Sequence, residues 1–292
     1  MIEARALSFN YPDGTLALTG IDLEIKHGEF LALMGANGCG KTTLLKHFIG
    51  LLQPSSGQVI LDGKGFRDLE EKEIFRRVGM VFQNPDDQLF AATVEQDVAF
   101  GVANLGLQEE EVDRRTTEAM KLVDIDQLAQ KAIHTLSFGQ KRRAAIVGVL
   151  AMEPELVLLD EPTSGLDPRG TSSIMRLLRK LNRERRITMV MATHDIELIP
   201  LFCDRVAVMN QGKIITEATP ERIFADVDMV RDARLRLPRI GHLAEILRNK
   251  DGLNLPTMPL TIGQARREFL KLMGNSQEGG ADKFCYVDEG EG

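Results

Sequence analysis

A chain of 292 residues, 43% of them hydrophobic and with charges mixed along its length, is long enough for one large globular domain or two unequal ones. The net charge of −7 argues against a binder of phosphate backbones, and the basic clusters at 141–143 and 183–186 lie beside acids in helix-like sequence, so no nucleic-acid partner is expected. Three cysteines, Cys39, Cys203 and Cys285, are too few and too widely spaced for a disulfide framework or a metal motif, which fits a reducing cytosol.

The opening residues do not read as a signal peptide. IEARALSF (2–9) and IDLEI (21–25) read as strands, with a turn-like YPDG (11–14) between them. EFLALM (29–34) is an apolar strand candidate, followed by a glycine-rich loop and a helix-like run, KTTLLKHFIGLL (41–52), which Pro54 and Gly57 close. QVILDG (58–63) returns as a strand. Between 102 and 134 the chain becomes charged, with Val112, Ala119, Leu122 and Val123 at helical spacing. This marks a helical insertion whose outer limits are set at about 84 and 150. A helix is expected from Ser137 to Met152; its run AAIVGVLAM (144–152) is the longest apolar one, about half the length a membrane helix needs. ELVLLDE (155–161) is a buried strand, Pro168 opens another helix, and ITMVMATHD (187–195) is a further strand. RVAVMNQGKIITE (205–217) reads as a hairpin turning at Gln211 and Gly212. Beyond Pro220 the pattern is helical, punctuated by Pro238, Pro256 and Pro259.

Strands alternating with helices predict an α/β fold with a mainly parallel sheet, an N-terminal antiparallel β element and an inserted helical part. The organisation expected is a main domain over 1–225, a helical extension over 226–274 and a disordered, glycine- and acid-rich tail over 275–292. No internal repeat is visible.

GANGCGKTT (35–43) follows a strand and opens a helix, the setting that gives a phosphate-loop pattern its meaning. Gly35, Gly38 and Gly40 let backbone N–H groups wrap a polyphosphate, with Asn37 and Cys39 inside the same loop, and the helix beginning near Lys41 aims its positive end there. Lys41 is expected at the β- and γ-phosphate oxygens of ATP, Thr42 at Mg²⁺ and Thr43 at the α-phosphate. Cys39 is either a small spacer, the favoured reading, or a thiol activated by the helix N-terminus. ELVLLDEP (155–162) carries Asp160 to the carboxyl edge of the sheet as a Mg²⁺ contact, with Glu161 beside it as the general base for water. LSFGQKRR (136–143) places Ser137 and Gly139 at a helix start, a second anion site. TSGLD (163–167) follows the acidic strand, and His194 leaves the next one either as a capping or core histidine or as a site residue.

In this order GANGCGKTT, Gln83, LSFGQ, LLDEP, SGLD and His194 resemble the ATP-binding-cassette (ABC) ATPases, P-loop NTPases with a RecA-like core, over about residues 1–225. The resemblance implies that Tyr11 stacks on adenine, Gln83 senses Mg²⁺ and the attacking water, and His194 meets the γ-phosphate. It also implies that Ser137, Gly139 and Gln140 close over the ATP of a second copy, with Asp167 at the dimer seam, so hydrolysis requires two cassettes, either a homodimer or a pair with a close paralogue. Phe138 stands where that family usually has glycine.

Only residues 44–135 separate the phosphate loop from LSFGQ, with no sustained heptads, and one cassette is present, which favours a transport motor over the DNA-repair or translation types. NPDDQLFAATVEQDVAFG (84–101), LSFGQKRRAAIVGVLAMEP (136–154) and the C-terminal segments LPRIGHLAEILR and MPLTIGQARREF resemble the energy-coupling-factor importers, most of all the cobalt-importer ATPases. That resemblance implies a peripheral place on the cytoplasmic face of the cell membrane. The partners would be a transmembrane coupling protein and a substrate-capture membrane subunit, and the cargo a transition-metal ion such as cobalt, or a vitamin. The alternative is a conventional ABC importer with two permeases. Leu89 and Phe90 are expected to line a groove for the membrane partner.

Overall fold

The computed structural model describes residues 1–273; the tail expected to be disordered, 275–292, lies outside them. In chain order the elements begin with β1 (Ile2–Asn10), β2 (Leu16–Ile25), β3 (Phe30–Gly35), α1 (Lys41–Phe48), β4 (Ser56–Leu61), β5 (Lys64–Gly65), α2 (Glu71–Arg77) and β6 (Val78–Val81). The helices α3 (Val94–Ala103), α4 (Glu109–Leu122) and α5 (Phe138–Ala151) follow. Then come β7 (Leu156–Asp160), α6 (Pro168–Arg185), β8 (Thr188–Thr193), α7 (Ile199–Phe202), β9 (Arg205–Asn210) and β10 (Lys213–Ala218). The helices α8 (Pro220–Ala225), α9 (Val227–Asp232), α10 (Arg239–Asn249) and α11 (Ile262–Leu272) close the described chain.

Two sheets organise these elements. An antiparallel sheet has the order β2-β1-β4-β5, and the larger one runs β10-β9-β3-β8-β7-β6, parallel except for its β9–β10 hairpin. The inner strands are continuously apolar because both faces are covered. On one face Phe30, Ala32, Met34, Val157, Leu159, Met189 and Met191 join a core that includes Ala144 and Ile146 of α5 and Ile174 and Leu178 of α6. On the other, Leu31, Leu33, Leu156, Leu158, Val190 and Ala192 pack with Leu44, Leu45 and Phe48 of α1 and with Ile2, Leu7 and Leu23 of the antiparallel sheet.

Several boundaries differ from expectation. The helix expected over 41–52 stops at Phe48, because Gly50 closes it: the Leu51 N–H donates to Lys46 O (2.9 Å) and the Gly50 N–H to His47 O (3.0 Å). Ahead of the charged stretch lies a further helix, α3, which begins at Val94, where Thr93 caps it through the Gln96 N–H. The four-residue strand β6 was not anticipated; it pairs parallel with β7 at the sheet edge. The hairpin turns at Gln211 and Gly212 as expected, both with positive φ. In the C-terminal helical region, Val230, Leu237 and Leu260 belong to the same buried cluster as the main sheet.

The register of β3, β7 and β8 fixes where the site can be. Met34 pairs with Thr193 and Asp160 with Ala192, so the loops after Gly35, Asp160 and Thr193 leave the sheet at one carboxyl edge.

Candidate functional site

The phosphate-loop pattern runs from the end of β3 into α1, and its geometry follows from crowding. A Cβ at Gly35 would lie 2.5 Å from Met209 O and 2.6 Å from Cys39 Sγ, so no side chain fits there. Lys41 is buried, and its Nζ donates to Gly35 O (2.8 Å) and Ala36 O (3.1 Å), which holds the ammonium across the mouth of the loop. Asn37 and Gly38 form the exposed turn, and Gly40 adopts a left-handed N-cap conformation. Cys39 is nearly fully buried, and burial pushes its thiol up, outweighing the nearby Lys41 charge. The activated-thiol reading is therefore corrected: at Cys39 desolvation wins over the helix terminus.

Thr42 Oγ1 donates to Asp160 Oδ2 at 2.8 Å, which joins the start of α1 to the end of β7. Asp160 is 3% exposed; burial pushes its carboxyl up, the Glu161 charge adds to this, and the Thr42 hydrogen bond opposes it. Glu161 sits in the left-handed region (φ 49°), a conformation that costs about 1–3 kcal/mol away from glycine. Its N–H donates to Ala192 O at 2.9 Å, and that bond turns the buried carboxylate toward His194, whose Nδ1 lies 2.9 Å from Glu161 Oε2. His194 is thus no core histidine: its ring is largely exposed beside the acid. Tyr11 shares a hydrogen bond of 2.9 Å with Thr43 Oγ1 and meets Phe9 edge-on, so the aromatic of the β1–β2 turn stands against α1.

A second group of expected residues gathers elsewhere. Ser137 caps α5 in a capping box: its Oγ accepts the Gln140 N–H (3.3 Å), and Gln140 Oε1 accepts the Ser137 N–H (3.0 Å). Asp167 caps α6 by accepting the Gly170 N–H at 2.6 Å. Ser137, Phe138, Gly139, Gln140, Gly165 and Asp167 line one open cleft of about 660 Å³, to which no residue of the phosphate loop contributes. The two groups of expected residues therefore lie apart within one chain.

Gln83 lies on the exposed loop after β6, and Gln88 shapes that loop: its Oε1 accepts the Phe82 N–H (3.1 Å) and its Nε2 donates to Ala145 O (2.9 Å). Farther along, Asp97 Oδ1 accepts the N–H groups of Phe90 (2.8 Å) and Ala91 (2.9 Å) and fastens the segment to α3. The expectation for Leu89 is corrected here. Its side chain is 7% exposed and packs in the core cluster with Val94 and Val98, so it cannot line a surface groove. Phe90 is 65% exposed and meets the half-exposed Phe100 edge-on, ring centroids 4.7 Å apart.

Sequence reasoning missed Arg142, which it took only as part of a basic cluster in helix-like sequence. Its neighbour Lys141 does pair outward with Asp86 (2.6 Å), whereas Arg142 is fully buried and bonds to backbone carbonyls of two loops. The one signal was its position on the boundary of an apolar helical run.

Comparison with known proteins identifies the family. A family model described as "ABC transporter" matches residues 18–164. The energy-coupling factor transporter ATP-binding protein EcfA of Methanococcus maripaludis is 50% identical over 277 residues, 93% of this chain and 99% of that one. EcfA2 of Clostridium perfringens is 50% identical over 270 residues, 91% of this chain and 94% of that one. Among solved structures, cbiO1 of Clostridium perfringens, described as part of the ABC transporter complex cbiONQ, has a TM-score of 0.72 at 48% identity, covering 84% of this chain and 98% of that one. The dimeric cassette MJ0796 bound to ADP and Pi has a TM-score of 0.69 at 31% identity, covering 75% and 99%.

Proposed function

Since the chain belongs to the ABC transporter ATPases, as an ATP-binding subunit of the energy-coupling-factor class, we propose that two copies close around two ATP molecules and drive an importer through separate membrane subunits. One observation supports this most: Lys41, Thr42, Asp160, Glu161 and His194 converge at a single sheet edge, with Thr42 on Asp160 and His194 on Glu161. Lys41 and the loop N–H groups around Asn37, Gly38, Cys39 and Gly40 take the β- and γ-phosphates, Thr43 the α-phosphate and Tyr11 the adenine face. The Thr42 hydroxyl and the Asp160 carboxylate, hard oxygen donors 2.8 Å apart, suit Mg²⁺, a small oxygen-seeking cation that keeps few protein ligands. When bound, that ion neutralises phosphate charge. Glu161 polarises the attacking water, held by Gln83, while His194 orients the carboxylate and meets the γ-phosphate. Ser137, Gly139 and Gln140 complete the site of the second copy, with Asp167 at the seam.

The partners proposed are a transmembrane coupling protein and a substrate-capture subunit at the cytoplasmic face of the membrane, contacted through Phe90 and Phe100. No described helix is long and apolar enough to cross a membrane. Cobalt is the proposed cargo on the resemblance to cobalt-importer ATPases and on the likeness to cbiO1. The Glu161→Gln variant should lose at least about 100-fold in ATP turnover while still binding ATP and forming a dimer on size exclusion. Cells given this chain with its membrane subunits should take up radiolabelled cobalt, and the variant should not. Turnover by Glu161→Gln at the parent rate would overturn the mechanism, and uptake of nickel or a vitamin instead of cobalt would overturn the cargo.

A further inference from the structure

Arg142 lies one turn into α5 and has no exposed surface. A guanidinium so placed is costly unless its donors are used. Two of its nitrogens reach carbonyls on two separate loops: Nη1 donates to Phe82 O (2.8 Å), and Nη2 donates to Gln83 O and more weakly to Ser164 O (3.4 Å). Nε is buried with no partner, so the group is not fully engaged. The Phe138 ring covers the guanidinium at 5.4 Å and rests on Gly165, where a Cβ would come within 2.6 Å of the ring. Gly165 (φ +75°) is followed by Leu166 and then Asp167. One buried cation under one ring thus fastens together the Gln83 loop, the 163–167 turn and the start of α5 that presents Ser137, Gly139 and Gln140.

We propose that Arg142, seated under Phe138, is a positioning residue that locks the Gln83 loop of the protomer's own ATP site to the Ser137–Gln140 face it offers to the second copy. Arg142 acts through the backbone of residue 83 and through the turn leading to Asp167. A planar fork is needed to span carbonyls on two loops, which a lysine ammonium on a flexible stem does less well. The inference rests on the two-copy reading above.

A double-mutant cycle with Gln83 tests it. Arg142→Met should lower the kcat for ATP at least about 10-fold and shift KM by less than about 3-fold, with Arg142→Lys intermediate. In a Gln83→Ala background the same Arg142→Met change should cost less than about 2-fold, because the group it positions is gone. A purely structural role would give equal losses in both backgrounds, and that result overturns the proposal. A kcat within about 2-fold of the parent, or a loss confined to KM, overturns it as well. Should Arg142→Met fail to fold, the Arg142→Lys cycle decides by the same comparison of backgrounds. Failure of the two-copy reading shows separately: Glu161→Gln protein with ATP would stay monomeric on size exclusion, whatever the cycle gives.

Discussion

Asp160 has to be ionised to act beside Thr42, yet burial holds its carboxyl above the ordinary aspartate value. In acid, below the unfolded pKa near 4, the group is protonated in both states and folding carries no penalty. As pH rises through the raised folded value, that advantage is lost. Asp160→Asn should therefore melt higher than the parent at pH 7 without nucleotide, by about 2–4 °C for each kcal/mol relieved, and the gain should vanish below about pH 4. Equal melting temperatures at pH 7 would contradict it. The residues of this edge were legible in the sequence because local chain order sets their placement: a strand, a tight loop and a helix start put Lys41 and Thr42 together, and a strand end fixes Asp160 and Glu161. Arg142 was not legible, since its burial depends on carbonyls contributed by residues 60, 59 and 22 positions away. The desolvation of Cys39 was hidden for the same reason: its Sγ sits against Gly35 and its side chain belongs to a buried cluster with Met209.

At the scale of elements, long apolar runs declared the inner strands, and their alternation between two cores explains why they have no polar face. What stayed hidden was short or tertiary. β6 has only four residues, one of them glycine, and it is a strand because β7 lies beside it. The extent of α3 depends on the Thr93 cap and on Asp97, which folds the preceding loop back on the helix. That fold-back separates Leu89 from Phe90, one inward and one outward, where a simple apolar count groups them. The outward pair yields a prediction. Phe90→Asp with Phe100→Asp should leave ATP turnover of the isolated chain within about 2-fold of the parent and abolish co-purification with the membrane subunits, since exposed apolar anchors carry much of an interface's energy. Retained assembly would place the contact elsewhere. A different loop ties the nucleotide edge to the C-terminal helices: Glu197, three residues after His194, accepts the Arg239 N–H (2.8 Å) at the start of α10, where Pro238 has no side-chain acceptor to give.

For the whole molecule, the main feature is the separation of the phosphate-loop edge from the Ser137–Asp167 cleft, which the starts of α5 and α6 line. If each catalytic edge works only against the cleft of a second copy, two differently crippled chains should repair one another. Glu161→Gln has a dead edge and a sound cleft; Ser137→Arg has a sound edge and a blocked cleft. Each should be inactive alone. In a mixed pair both lesions fall in one composite site and the other site is whole. Equal mixing makes half of the dimers mixed, each with one working site of two, so turnover should recover to about a quarter of the parent rate, as a symmetric dimer with independent sites requires. No recovery on mixing would mean that the sites fire only together, whereas Ser137→Arg active by itself would mean that each chain works alone. On the two-copy reading, the gap between edge and cleft would give the chain a capacity for complementation between defective copies.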